Sequence, residues 1–530
     1  MKNLAKIFFD NAKRHPDKIA FVIPKEYQDF ANYSERIITF DEFKDEVIKY
    51  QKGLIDSGYK KGDRIILLTP INENLYALML AMFSLGLVAV FLDPGIGFRK
   101  ILTAISDSRA KAIVSIDRLL KYHFFIPRLW AMKKYSSDKK RLFVQKLSSL
   151  YSTKEHLPVF EELKDSDHAL ITFTSGSTGR AKGSDRNIKN ITEQIKAIKE
   201  SWVCSEETID FPSFPMFGFM NLLCSITTVV PAVDFANIAN INPEIIHHQM
   251  NKWKITRTCG SFAFNDNIST YLDNNGLEIT SLTNIALGGC PVTREFCERL
   301  KRVYPNAQGE IIYGSTEVAP ISTITFESYL QSSGEGFPVG AVYPQIKLEI
   351  VNLPNGIEAF DQRGTLPYQL NEGEIGEVII NSPHTVQTYI DNEKATKENK
   401  ILDIDGTRWH RTGDTGRRDK DGNLWLVGRL NDVITDDKNI LHPYIYETRM
   451  DSVEKIIRSA MIQINNSVVV FVSSPKENFD DVKKQILQIL PTLRTLKLDI
   501  IHTDNIPVDD RHKSKINRVL LREIYLKGNA

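Results

Sequence analysis

The chain reads as a large α/β protein of several subdomains closed by a small α+β unit, and three observations predict it. Helix-like stretches such as Phe43 to Ser57 alternate with short β-branched runs such as Arg64 to Leu68 and Ala112 to Ile116. That rhythm belongs to parallel strands covered by helices. A length of 530 residues exceeds what one compact core accommodates. After Gly428-Arg429 a fresh helix and strand rhythm runs for roughly a hundred residues, the size of a small domain. The expected division is therefore 1–428 and 429–530.

Taken in order, Leu4, Ile7, Phe8 and Ala12 mark one face of a short helix, and Asp10, Lys13 and Arg14 break any export-signal core. Leu75 to Leu92 carries no charge and is nearly long enough to span a bilayer. Its composition changes midway, however. Leu75 to Phe83 favours helix, Ser84-Leu85-Gly86 can end it, and Leu87 to Phe91 favours a buried strand. This is a helix–turn–strand unit of an α/β core. From Arg118 to Lys146 nine bases face one acid, Asp138, with Tyr122, Phe124, Phe125, Ile126, Leu129, Trp130 and Met132 interleaved. Such a stretch could touch an anionic membrane surface or a partner protein, or be a basic excursion packed on its own domain. Gly373 to Tyr389 and Asn423 to Val427 read as short strands joined by turns.

The formal net charge of +1 excludes bulk nucleic-acid binding, which needs a basic surplus. Cys204, Cys224, Cys259, Cys290 and Cys297 form no CxxC pair and no Cys/His metal spacing. An odd, scattered set of this kind is expected as reduced thiols in a cytoplasmic protein.

Chemistry concentrates in five places. The run Thr174-Ser175-Gly176-Ser177-Thr178-Gly179-Arg180-Ala181-Lys182-Gly183 follows the strand-like Ala169 to Phe173. Glycines let the backbone approach a ligand and turn N–H groups inward, hydroxyls add donors, and Lys182 adds a charge suited to a polyphosphate. Gly183 after Lys182 breaks the Walker spacing, and a flexible Gly/Ser loop is the plain alternative. Tyr313-Gly314-Ser315-Thr316-Glu317 offers a ring to stack on, a hydroxyl for phosphate and a carboxylate for Mg²⁺, or simply a turn before a helix. Asp414, in Arg411-Thr412-Gly413-Asp414-Thr415-Gly416, can accept two ribose hydroxyls, although such a sequence is usually just a turn. Arg429 stands at the expected boundary. Lys515 lies in a polar loop before the amphipathic Ile516 to Leu521, where it could be carried into or out of a site.

Together these stretches resemble the acyl-adenylate-forming, AMP-producing synthetases: acyl-CoA ligases, luciferases and the adenylation domains of peptide synthetases. The resemblance covers nearly the whole chain in family order. It starts at Ile38 to Phe43 and Lys61 to Arg64. It continues through the loop, Gly288-Gly289-Cys290-Pro291, Tyr313 to Glu317, Gly373 to Glu377, Thr412-Gly413-Asp414 and Gly428-Arg429, and ends at Lys515. It implies an adenylating N-terminal domain with a mobile C-terminal domain turning about Asn431, and ATP and Mg²⁺ as cofactors. It also implies roles. Residues 174–183 cradle the β- and γ-phosphates; Gly289, Cys290, Pro291 and Tyr313 line the adenine pocket; Thr316 contacts a phosphate. Thr174 and Glu317 hold Mg²⁺, Asp414 binds ribose with Arg429 nearby, and Lys515 bridges the substrate carboxylate and the α-phosphate.

Departures from the family pattern bear on the step after adenylation. Thr435 to Pro443 contains no glycine where CoA-using relatives carry a glycine-rich strand-loop, and Ala181 stands where proline is usual. The chain is similar to the β-lactone synthetases of bacterial long-chain olefin biosynthesis in Leu92 to Gly97, Phe211 to Pro215, Gly260 to Ala263, Trp409 to Asp414 and Pro507 to His512. That resemblance implies a 2-alkyl-3-hydroxy fatty acid as substrate, closed to a β-lactone by its own hydroxyl, with His442 or His512 as a conceivable base. A fatty acyl-CoA or carrier-protein ligase is the alternative, and a nucleotide-binding scaffold without turnover a third.

Overall fold

The computed structural model describes residues 3–25, 29–92, 96–174, 181–202, 204–235, 241–289, 291–352, 364–436, 439–508 and 515–528. Two large sheets organise the chain before residue 430. In the first, seven-stranded, the order across the sheet is Gln145–Lys146, Lys133–Ser136, Ala112–Ser115, Arg64–Leu68, Val88–Leu92, His168–Thr174 and Lys182–Asn187. All neighbours are parallel except the last pair, an antiparallel hairpin. Alternation along Arg64–Leu68 sends Ile65 and Leu67 to one core and Ile66 to another, so the sheet is buried on both faces.

Helices Leu4–Arg14, Phe40–Asp56, Glu73–Ser84 and Pro215–Leu223 share one core between this sheet and the second. The charge-free stretch identified in the sequence resolves into helix Glu73–Ser84, buried from Leu75 onward, then Gly86 with φ +65° and strand Val88–Leu92. Its lack of charge reflects burial among helices. Helix Phe40–Asp56 is started by a capping box in which the Thr39 hydroxyl accepts from Glu42 N–H and the Glu42 carboxylate accepts from Thr39 N–H. Among the described residues, no helix is long and apolar enough to cross a membrane.

The second sheet has 14 strands. One half is mainly parallel, built around Arg257–Gly260, Asn284–Gly288 and Gln308–Ser315 and covered by helices Pro243–Lys252, Phe262–Asn274 and Arg294–Val303. The hairpin Gln308–Ser315/Val318–Thr325 turns the sheet antiparallel, and Phe337–Val342, Leu424–Arg429, Arg408–Arg418, Gly376–Asn381 and Lys347–Val351 continue it. After Arg429 come a small hairpin, Ile434–Asp436/Asn439–Leu441, and a separate three-stranded sheet of Arg458–Ile464, Ser467–Ser473 and Leu498–His502. Helix Phe479–Ile489 lies in the core on one face of that sheet, and Leu521 of helix Arg518–Gly528 in the core on the other.

A buried ion pair joins two strands of the second sheet. Asp210 and Arg257 face each other on adjacent strands, 0% and 2% exposed, at 3.0 Å. Arg257 also donates to Asn221 at 2.7 Å and lies 4.4 Å from the Trp202 ring. Replacing Arg257 with Met strands the Asp210 carboxylate and is expected to cost about 3–5 kcal/mol. Calorimetry should show an earlier unfolding transition, whereas an unshifted one would mean that the pair is not held as described.

Candidate active site

The turn between Gln308–Ser315 and Val318–Thr325 holds Thr316 and Glu317, where a turn before a helix was the bland expectation. On its N-terminal strand Tyr313 donates from its hydroxyl to Asp414 Oδ2 at 2.6 Å, and Arg429 Nη1 donates to Asp414 Oδ1 at 2.5 Å. Asp414 and Arg429 are register partners on adjacent antiparallel strands. The Gly-Asp-x-Gly sequence is therefore no simple turn. It lies within the long strand Arg408–Arg418, where Gly413 takes φ +69° and the register slips between Thr415 and Gly416. The Thr412 hydroxyl accepts from Asp414 N–H and donates to Val378 O. Burial, and then the Asp414 charge, push the Tyr313 phenol well above its usual range, so it stays a neutral donor. Asp414 likewise raises Arg429.

A second cluster surrounds Glu317. Its carboxylate accepts from Tyr389 Oη at 2.9 Å, and its carbonyl accepts from Val386 N–H. Arg186 donates to the Thr316 carbonyl and to Thr172 Oγ1, tying the turn to the seven-stranded sheet. The amines of Lys182 and Lys400 lie 5.6 and 5.4 Å from the Tyr389 ring centroid. Lys182 donates to Asn399 Oδ1 at 3.2 Å, whereas Lys400 Nζ is buried without a hydrogen-bond partner among the described residues. Burial alone would raise the Glu317 carboxyl, but His410, Lys400 and the Tyr389 hydroxyl hold it well below the usual range. His410 is itself driven low, by burial and then by Lys400. Burial lowers Arg186 to about 10 and brings Lys400 down to about 7 against the pull of Glu317. Glu317 shares these cations with Asp185, which acts on Arg186, and with Glu398, which acts on Lys182. Three cations held out of water at one turn suit a polyanion.

Of the expected phosphate loop, Thr174 and Lys182 are register partners at the stem of the hairpin. Ser175, Gly176, Ser177, Thr178 and Gly179 lie outside the described residues, as do Cys290 and His512. Gly289, with φ +84°, and Pro291 follow strand Asn284–Gly288, whose Gly288 faces Ile312 beside Tyr313. A small apolar cavity of about 50 Å³ lies at the same hairpin, lined by Ile198, Trp202, Phe217, Ile312, Ala319 and Pro320, with Ser201. In the terminal unit, Asn431 sits in the short turn Leu430–Asp432, and Asp432 pairs with Arg518. Lys515 is exposed just before helix Arg518–Gly528. His442 lies with Nδ1 3.3 Å from Thr415 Oγ1, its basicity lowered by burial.

Arg186, Tyr389, Lys400 and His410 were not singled out as site residues. A signal existed for Arg186, because Lys182, Ser184 and Arg186 share one face of a strand. For Lys400 there was none, since an isolated lysine is ordinarily a surface residue.

The AMP-binding enzyme family matches residues 8–390. The chain belongs to that family. It is 24% identical over 544 residues to an olefin beta-lactone synthetase of Stenotrophomonas maltophilia, covering 97% of this chain and 96% of the relative. A long-chain-fatty-acid–CoA ligase of Salmonella typhimurium is 25% identical over 473 residues, covering 82% and 78%. Among solved structures, the amide bond synthetase McbA of Marinactinospora thermotolerans superposes with a TM-score of 0.79 at 18% identity over 99% of both chains, a likeness of fold. As a member of the AMP-binding enzymes the protein is an AMP-forming ligase.

The buried Lys400 gives this AMP-binding enzyme a measurable liability. Between about 7 and 10.5 the unfolded chain holds a proton on this amine that the folded chain does not. Stability therefore rises with pH across that window, and the penalty is greatest below it. Lys400→Met should raise the thermal midpoint at pH 7 and lose that advantage toward pH 10.5. A midpoint difference independent of pH would contradict the burial argument.

Proposed function

We propose that the protein joins a fatty carboxylic acid to AMP using ATP, and that the acid is a 2-alkyl-3-hydroxy fatty acid which then closes to a β-lactone. One observation carries the adenylation reading: three chemically distinct environments meet on the single hairpin Ile312 to Pro320. Tyr313 joins Asp414 and Arg429, Thr316 and Glu317 face the buried cations Lys182, Arg186 and Lys400, and Ile312, Ala319 and Pro320 line a small apolar cavity. A nucleoside and a polyphosphate need the first two side by side, and the small apolar cavity beside them suits the start of an acyl group rather than a whole chain.

In this reading Gly289, Cys290, Pro291 and Tyr313 bound the adenine, and Asp414 accepts the ribose hydroxyls with Arg429 fixing its orientation. Residues 174–179 and Lys182 hold the β- and γ-phosphates. Mg²⁺ fits as an ion carried chiefly by the phosphates. The chain offers it the hard oxygens of Thr174 and Glu317, and the described residues include no cluster of three or more acidic, His or Cys ligands. The ion would offset phosphate charge. Lys515, carried inward as residues 429–530 turn about Asn431, neutralises the approach of the substrate carboxylate to the α-phosphorus, where two anions otherwise repel. The carboxylate oxygen bonds to that phosphorus and pyrophosphate departs.

The second step favours the lactone. The β-hydroxyl attacks the acyl carbon, AMP leaves, and the hydroxyl proton passes to a base, for which His442 is a candidate; the internal nucleophile needs no second substrate site. The glycine-free stretch, drawn into the hairpin Ile434–Asp436/Asn439–Leu441, and the similarity to the Stenotrophomonas maltophilia protein support this outcome. The Salmonella typhimurium relative keeps a fatty acyl-CoA or carrier-protein ligase as the second reading.

Lys515→Ala is expected to slow ATP–pyrophosphate exchange by about 100-fold or more, with AMP affinity nearly unchanged. Unaltered exchange would remove Lys515 from the chemistry. Asp414→Asn should instead weaken AMP binding by roughly tenfold, measured calorimetrically. With ATP and a racemic 2-alkyl-3-hydroxy acid, mass spectrometry should find the dehydrated product together with AMP. Thioester formation from a plain fatty acid and CoA at a comparable rate would overturn the lactone reading and leave adenylation standing.

A further inference from the structure

Residues 118–146 form a surface that the adenylation chemistry does not use. Part of the segment is built into the fold: strands Lys133–Ser136 and Gln145–Lys146 extend the seven-stranded sheet, and Leu120, Ile126, Leu129, Met132 and Val144 join the core beneath it. The rest turns large apolar side chains outward. Phe125 is 83% exposed, Phe143 71%, Leu142 68% and Trp130 64%, with Tyr122 and Phe124 close to half exposed. Three of these rings are gathered together. Phe124 and Phe143 lie 6.2 Å apart edge to face, and Trp130 Nε1 donates to the Phe124 carbonyl at 3.0 Å. With Lys133, Lys140 and Arg141 they line a cleft of about 720 Å³. His123, at its buried wall, donates from Nδ1 to Leu120 O, and its Nε2 has no hydrogen-bond partner among the described residues.

Charge on this surface is one-sided. Asp117 is engaged by Arg141, and Asp138 accepts from Asp117 N–H and Ser136 Oγ, so both carboxylates are occupied within the segment. The Lys134 amine is turned inward onto the carbonyls of Leu129 and Met132. Lys121, Arg128, Lys139 and Lys140 are exposed; Lys121 lies over the Tyr122 ring and Lys140 lines the cleft with Phe124, Trp130 and Phe143. A soluble anion would need the bases but not the rings, and an apolar protein groove the rings but not the bases. The combination of clustered aromatics and a basic rim matches the headgroup layer of a bilayer, where rings enter the interface and cations meet lipid phosphates. No helix among the described residues is long and apolar enough to cross, so the contact is peripheral.

We propose that the 118–146 surface docks the protein onto an anionic lipid bilayer, with Phe124, Phe125, Trp130 and Phe143 in the headgroup region and Lys121, Arg128, Lys139 and Lys140 on lipid phosphates. The proposal does not depend on which carboxylic acid is activated. The test is flotation of the full chain with vesicles of phosphatidylcholine alone or mixed with phosphatidylglycerol. Binding is expected to the mixed vesicles only, and to weaken with sodium chloride. Lys139→Glu with Lys140→Glu should reduce it by roughly tenfold or more, and Phe125→Ala with Phe143→Ala should also release the protein. Circular dichroism and ATP–pyrophosphate exchange with a water-soluble acid should be unchanged in both variants. Three results would overturn the proposal: no flotation with mixed vesicles at low salt, flotation of either variant equal to that of the unaltered chain, or displacement by inorganic phosphate beyond that by sodium chloride of equal ionic strength. The last would mark a site for a free anion.

Discussion

The arrangement depends on holding one hairpin turn between two sheets. Thr316 and Glu317 belong to the 14-stranded sheet, yet Arg186, rooted in the seven-stranded sheet, donates to the Thr316 carbonyl, and Gln194 donates to Ala319 O from the helix beyond that strand. The Tyr389 hydroxyl and Val386 N–H hold Glu317 from a third direction. A turn held this way cannot drift, so the side chains preceding it, facing it and succeeding it keep fixed relations. Fixed relations matter here because positioning groups to within a fraction of an ångström is where much of the rate of such chemistry arises.

The same turn explains a locally unfavourable electrostatic arrangement. Lys182, Arg186 and Lys400 are each less than a tenth exposed, and burial weakens the protonation of all three. Natural folds retain such costs where function needs them. In the proposed reading, a bound polyphosphate would offset the burial of these cations beyond what Glu317, Asp185 and Glu398 do, converting a folding liability into binding of the nucleotide. The contrast with Arg257 is instructive. That guanidinium is buried as deeply but carries its own carboxylate, Asp210, and so closes its charge balance within the core. It reads as architecture, while the Glu317 cluster reads as a receptor.

The terminal unit is organised by a different ion pair. Arg518, at the start of the last helix, donates to both carboxylate oxygens of Glu447 at 2.8 and 3.0 Å and pairs with Asp432 beside Asn431. The stretch bearing Lys515 is thus anchored, through the helix immediately after it, to the segment that leads out of the second sheet. The proposed turn about Asn431 would move both together, as the proposed role of Lys515 requires.

Much of the fold was legible because it is written in consecutive residues. The helix-like run Phe43 to Ser57, the β-branched run Arg64 to Leu68 and the shift from helix to strand between Leu75 and Leu92 are local patterns with local causes. The order of glycines, hydroxyls, Asp414 and Lys515 likewise identified the family, since each motif is a short run of fixed spacing. Other features were beyond sequence reading. Gly413-Asp414 has the composition of a turn, and only pairing with Leu424–Arg429 makes it a bulged strand that sets Asp414 against Arg429. Tyr313 to Glu317 could precede a helix as readily as close a hairpin. Lys400 shows the limit most clearly. Its meaning depends on being buried beside Tyr389 and the Glu317 environment, and burial is a property of the assembled sheets. The sequence alone determined which chemical groups were available and the order of the elements that carry them. Tertiary structure decided which charges lose their water and which meet, because desolvation and proximity arise between segments far apart in the chain.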